Sequence, residues 1–165
     1  MIKKIVSGGQ TGVDRAALDA AIKNNIPIGG WCPKGGWAED FQKPPGVLAL
    51  YPELKETEFE TVVQRTIWNA MDSDASLIID PNYPSSSRGT DLIEAAANAY
   101  HKPYLWIKNR ADIPEVTFWL NSLKNNLVLN IGGPRASECE DAYEETYYIL
   151  NKIFYLTQQN KHKSY

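Results

Sequence analysis

The residues able to do chemistry gather in three glycine-bearing segments. The first runs Ser7-Gly8-Gly9-Gln10-Thr11-Gly12-Val13-Asp14-Arg15, the second Ser85-Ser86-Ser87-Arg88-Gly89-Thr90, and the third Gly132-Gly133-Pro134-Arg135-Ala136-Ser137. Glycine lets a backbone approach a ligand closely. A helix that begins just after such a turn presents unpaired N–H groups carrying about half a positive charge. Hydroxyls, amides and guanidinium groups add donors suited to phosphate or carboxylate oxygens. The anion-binding candidates are therefore Gly8, Gly9, Gln10, Thr11 and Gly12; Ser87, Arg88, Gly89 and Thr90; and Gly132, Gly133 and Arg135. The competing reading is a set of glycine turns that bind nothing, with Thr90 capping a helix and Ser137 with Glu140 forming a capping box. The first segment matches neither the nucleotide triphosphatase pattern with its lysine nor G-x-G-x-x-G.

A fourth segment, residues 32–46, is long and broken by Pro33, Gly35, Gly36, Pro44, Pro45 and Gly46. Loops of this length in compact domains are usually functional. Lys34 and Gly35 join the candidates, and Trp31 or Trp37 could stack on a flat ring. Arg65, Trp68, Asn69 and Asp72 share one helical face, which either reaches the ligand edge or, preferably, meets another subunit. No catalytic constellation emerges. Of the two histidines, His101 reads as a helix-end residue and His162 falls in the tail. Glu39 with Asp40 and Asp72 with Asp74 are carboxylate pairs without a defined role. Cys32 and Cys139 have no metal-ligand or disulfide spacing. No metal site is expected.

Apolar runs alternate with helical spacing along the chain that must hold these residues. Strands are expected at Lys3 to Val6, Ile26 to Trp31, Val47 to Tyr51, Ala75 to Ile79, Pro103 to Ile107 and Leu127 to Ile131. Helices are expected at Thr11 to Asn24, with Val13, Ala17, Leu18, Ala21 and Ile22 apolar, and at Thr57 to Asp72, with Phe59 apolar and a Thr57/Glu60 capping box. Others run from Gly89 to Tyr100, Val116 to Asn125, and from Ser137 to about Phe154. This alternation means an α/β fold: a three-layer, Rossmann-like parallel sheet with helices on both faces. In such sheets ligands sit beyond the carboxyl ends of the strands, where strand order reverses. Residues 1–157 read as one domain and 158–165 as a polar tail.

The 165 residues suffice for one core without disulfides or metals, since a domain this size buries roughly 70% of its unfolded surface. A net charge of −3 excludes a general nucleic-acid binder but not a concave site for one small anion. No apolar run is long enough to span a membrane and no leader is apparent, so the chain reads as cytoplasmic and reduced.

Taken in order, the motifs resemble a known family. They are Gly8-Gly9-Gln10-Thr11-Gly12-Val13-Asp14-Arg15-Ala16-Ala17-Leu18-Asp19, Gly30-Trp31-Cys32-Pro33-Lys34-Gly35, Ala38-Glu39-Asp40, Arg65-Thr66-Ile67-Trp68-Asn69 with Asp72-Ser73-Asp74-Ala75, and Leu129-Asn130-Ile131-Gly132-Gly133-Pro134-Arg135-Ala136-Ser137. Over about residues 5 to 150 they are similar to the "putative molybdenum carrier" family, related to molybdenum cofactor carriers. That family belongs to a Rossmann-like group with lysine-decarboxylase-like phosphoribohydrolases and nucleotide sensors. The resemblance implies a homo-oligomer, dimer or tetramer, that binds an anionic cofactor at the loop ends. The named candidate is the molybdenum cofactor, a pterin with a terminal phosphate. A nucleotide sensor or N-glycosidic hydrolase is the alternative, and an assembly module built around Trp68 a third. Two departures stand out. Gly36-Trp37 replaces arginines that the family tends to place after Lys34-Gly35. Ser86-Ser87-Arg88-Gly89-Thr90-Asp91-Leu92-Ile93-Glu94 lacks two glycines of the hydrolase motif and carries its acid one place late.

Overall fold

The computed structural model describes residues 2–84 and 86–159. Five strands form a wholly parallel sheet: β1 (Ile2–Val6), β2 (Ile28–Gly29), β5 (Ala75–Ile79), β6 (Tyr104–Ile107) and β7 (Leu127–Gly132), in the order β2-β1-β7-β5-β6. β3 (Trp31–Cys32) and β4 (Lys55–Glu56) pair separately, also in parallel. A parallel sheet is covered on both faces, so its inner strands read as unbroken apolar runs. Every residue of β5 is buried, and Leu129 and Ile131 of β7 are fully enclosed.

Five helices provide the cover: α1 (Val13–Lys23), α2 (Val62–Met71), α3 (Arg88–Ala99), α4 (Ile113–Ser122) and α5 (Ala142–Gln159). α1 packs on α5, and α5 on α4; α2 packs on α3. Those groupings put α1, α4 and α5 in one layer and α2 with α3 in the other. α1 turns Val13, Ala16, Ala17, Leu18, Ala20 and Ala21 inward, and α5 answers with Ile149, Leu150, Ile153 and Phe154. Each fully buried leucine or isoleucine in this core contributes about 1.5–3 kcal/mol.

Several expectations from the sequence are corrected. The Ile26 to Trp31 strand is two strands in two sheets, because Gly30 adopts φ +123° and turns the chain. A side chain there would press within 2.5 Å of the Ser7 carbonyl oxygen. Residues Val47 to Tyr51 are not a strand: Gly46–Ala49 is a short 3-10 helix, entered at positive φ by Gly46. Thr57 does not cap α2, which begins at Val62; its hydroxyl donates to the Cys32 and Phe59 carbonyl oxygens. Phe59 precedes the helix and is exposed, as is Ile22 of α1. Ser137 does not cap α5, which begins five residues later; a tight turn on the Arg135 carbonyl oxygen intervenes. The remaining helices shift at their ends, α4 starting at Ile113 behind an Asn109/Asp112 capping box. α5 runs through Gln159, five residues beyond the helix end expected at Phe154. Ser85, His162 and the rest of that tail lie outside the described residues.

Candidate functional site

From β1 the chain crosses to β2 on one side, and from β5 to β6 on the other, with β7 between them. The loops leaving β1 and β5 therefore diverge over the carboxyl end of β7, the place where such sheets hold ligands. A cleft of about 370 Å³ opens there. Its walls come from the β1–α1 turn (Gln10, Asp14), the start of α3 (Ser87, Arg88, Gly89, Thr90), the β7 exit (Gly133, Arg135, Glu138) and α2 (Val62, Arg65, Thr66).

The candidate residues divide in this geometry. Gln10, Ser87 to Thr90, Gly133 and Arg135 come together around the cleft. Lys34 and Gly35 do not; they line a neighbouring hollow of about 360 Å³ with Trp37, Gln42, Pro44 and Glu60, separated from the cleft by the shared Val62. The remaining glycines are pressed against protein. A Cβ on Gly8 would sit 2.2 Å from Arg65 Nη1, and one on Gly12 would sit 2.4 Å from the Pro134 carbonyl oxygen. Gly9 meets Leu54 and Val47, and Gly132 meets Ile93. Their lack of a side chain is used by the protein itself.

Two internal carboxylates occupy the anion-binding features of this edge. Asp14, 3% exposed, accepts from Arg65 Nη1 at 2.9 Å, and Gly8 makes the room for that guanidinium. Burial pushes the Asp14 carboxyl above the usual range, while Arg65 and the backbone amides of Gln10 and Gly8 pull it back. Glu39 reaches over from the long segment 32–46. It accepts from the Thr11 hydroxyl, from the Ser137 amide at 3.2 Å and from the Ser137 hydroxyl at 2.6 Å, with Arg135 Nε 3.7 Å away. Partial burial pushes its carboxyl up, but the bonds from Ser137 and Thr11 and the Arg135 charge outweigh that and hold it below the ordinary range. Arg135 also faces Glu138 at 3.5 Å.

At the start of α3 the situation differs. Ser87 caps the helix, its oxygen accepting from the Thr90 amide at 3.3 Å. Arg88 is exposed and pairs with no carboxylate among the described residues. Arg65 and Arg135 are offset by acids, so Arg88 carries the cleft's uncompensated charge.

Most of the other chemical candidates serve architecture. Trp31 is held by Asp72 through its indole N–H at 2.8 Å and meets Trp68 edge-on at 4.7 Å, while Asn69 clasps the Trp31 amide and carbonyl. The Arg65-to-Asp72 face thus grips β3 and reaches the cleft through Arg65. Trp37 makes no ring contact or hydrogen bond among the described residues and is only partly buried. Asp74 accepts from the Val128 amide and pairs with Lys124, and Asp40 pairs with Arg15. His101 ends α3 in the left-handed region. Burial pushes the Cys32 thiol up to about 11, which keeps it protonated at neutral pH. Among the described residues no cluster of His, Cys, Asp and Glu is arranged to hold a metal.

Sequence reasoning passed over Asp14 as a wall of the site and left Arg65 undecided. Their pairing spans 51 positions, and its one local trace is an acid placed just inside the helix that follows the glycine turn.

Comparison with known proteins follows the same lines. Residues 5–154 match the family model of the circularly permutated YpsA SLOG family. A crystal structure of a protein from Syntrophus aciditrophicus SB, named a "putative molybdenum carrier protein", is 41% identical and superposes with a TM-score of 0.78, covering 93% of this chain and 94% of its own. No curated protein matches. With every loop of the cleft and all of the sheet beyond the first three residues of β1 inside the matched span, the chain belongs to the circularly permutated YpsA SLOG family.

Proposed function

We propose that this protein binds and carries a small phosphate-bearing anion in the cleft over β7, with the molybdenum cofactor as the named candidate. One observation carries the reading: Arg88, at the positive end of α3, is uncompensated in a cleft whose other cations are already paired with acids. The cleft's volume falls in the range of ligand pockets, roughly 300–1,000 Å³. The molybdenum carrier name of the similar Syntrophus protein supports the carrier role. Arg88, the Gly89 amide and the Ser87–Thr90 hydroxyl pair would hold the phosphate. Lys34 and Trp37, in the adjoining hollow, would meet a charged or flat part of the ligand that overhangs Val62.

The partnerless Trp37 ring also suits a nucleotide base, which gives the second reading, a nucleotide-binding sensor. A thermal-shift screen with molybdenum cofactor, pterin phosphates, mononucleotides and molybdate separates the two. A ligand at a hundred times its Kd stabilises the fold by about 2.7 kcal/mol, or roughly 5–10 °C for this size. Shifts with the cofactor and pterin phosphates alone support the carrier, and shifts with mononucleotides alone support the sensor. No shift with any of them overturns both.

A further inference from the structure

The side-chain amide of Gln10 has a fixed orientation. Its Oε1 accepts two backbone N–H groups, from Thr11 at 3.0 Å and from Glu39 at 2.9 Å. Flipping the amide would lose both bonds and set its NH₂ against two donors, so no other assignment satisfies the network. Gln10 is only 6% exposed, yet it lines the cleft. Its Nε2 takes no partner among the described residues, on a side chain that lines the cleft. The two donors it accepts come from the β1–α1 turn and the 32–46 segment, and both would have to move before the amide could turn.

We infer that Gln10 is a specificity-determining residue, a locked donor that requires an acceptor oxygen or unprotonated ring nitrogen on the ligand facing it. This deepens the proposed function and rests on it. Ligands that turn an amino or protonated ring edge toward Gln10 are rejected, because donor would meet donor and a buried amide would stay unpaired. Two chemistries supply the acceptor, a phosphoryl oxygen and the carbonyl or unprotonated nitrogen of a ring, and the probes distinguish phosphate from ring.

The experiment is ¹⁵N NMR of the full chain titrated with pyrophosphate and, separately, with 6-hydroxymethylpterin. The Gln10 NH₂ pair is assigned by its loss in Gln10→Glu. That variant keeps an oxygen for the Thr11 and Glu39 amides and replaces only the cleft-facing donor. We expect the Gln10 NH₂ signals to move on saturation with pyrophosphate if a phosphoryl oxygen is the acceptor, or with the pterin if a ring atom is. We also expect Gln10→Glu to weaken that probe at least tenfold while the variant's amide spectrum remains that of the folded protein. Val62→Glu adds the same charge to the same cleft and should weaken it less. The inference is overturned if the Gln10 signals stay still while the amides of Arg88 and Gly89 move, or if Val62→Glu matches Gln10→Glu. In those cases the cleft still binds and the proposed function stands. If neither probe moves either group of signals, the proposed function fails as well.

Discussion

Two loop ends of this sheet look alike in sequence and behave oppositely in the structure. The turn after β1, with the β7 exit beside it, is rich in glycine, hydroxyls and arginine, and its own carboxylates Asp14 and Glu39 use them. The start of α3 has fewer glycines and a less distinctive composition, and it leaves Arg88 free of any acid among the described residues. A glycine-rich turn at a strand end signals that something approaches the backbone closely. Whether a ligand or another part of the chain approaches is decided by residues far away in sequence, here Arg65 and Pro134.

The sharpest way to break this contrast is at the Asp14 pair. Arg65→Met leaves a buried carboxylate without its partner and should cost about 3–5 kcal/mol in chemical denaturation. A loss under 1 kcal/mol would mean that the β1 turn does not depend on its internal ion pair. Gly12→Ala comes next: its Cβ would lie 2.4 Å from a carbonyl oxygen, on a residue held at φ +75°. The expected loss is about 2–4 kcal/mol. Arg88→Ala should instead leave stability within about 0.5 kcal/mol, as for an exposed side chain. In calorimetric titration it should weaken the bound anion by roughly 10- to 100-fold, the worth of one charged hydrogen bond. If Arg88→Ala unfolds the protein while Arg65→Met does not, the two ends have been assigned the wrong way round.

The smallest effect lies in pH. Glu39 titrates below its unfolded value of 4.5. Its contribution is therefore fully present above that value and is lost as acidity carries the pH down through the folded one. Asp14 has the opposite sign: its raised carboxyl binds a proton more readily when folded, so its charged form works against stability near neutrality, and acidification relieves it. Thermal melts of wild type and Glu39→Gln should differ at pH 7 and converge below about pH 4.5. Parallel curves across that range would show that Glu39 adds nothing through its charge.

The sheet was legible because its inner strands are buried on both faces and read as continuous apolar runs, Ala75 to Ile79 most plainly. The location of the cleft followed from strand-helix alternation alone. What escaped the sequence involves pairs without local signature. Thr57 and Ser137 both sit three residues ahead of a glutamate, yet each satisfies a distant partner instead of a helix end. At glycines 8, 9, 12 and 132 an added Cβ would press against other parts of the chain, contacts that no local pattern announces. Lys34 belongs to the same stretch of motifs as Glu39 but faces a different hollow, because the 3-10 turn at Lys34–Gly36 redirects the chain.

The turn at Gly30 bears on how this molecule keeps to itself. By ending β2 after two residues and sending the chain into a separate pair of strands, it leaves that margin of the sheet too short to template another chain. The opposite margin, β6, is bracketed by Pro103 and Lys108, residue types that discourage a neighbour from adding on. A single glycine conformation thus also leaves one margin of the sheet with little backbone for a neighbouring strand to pair with.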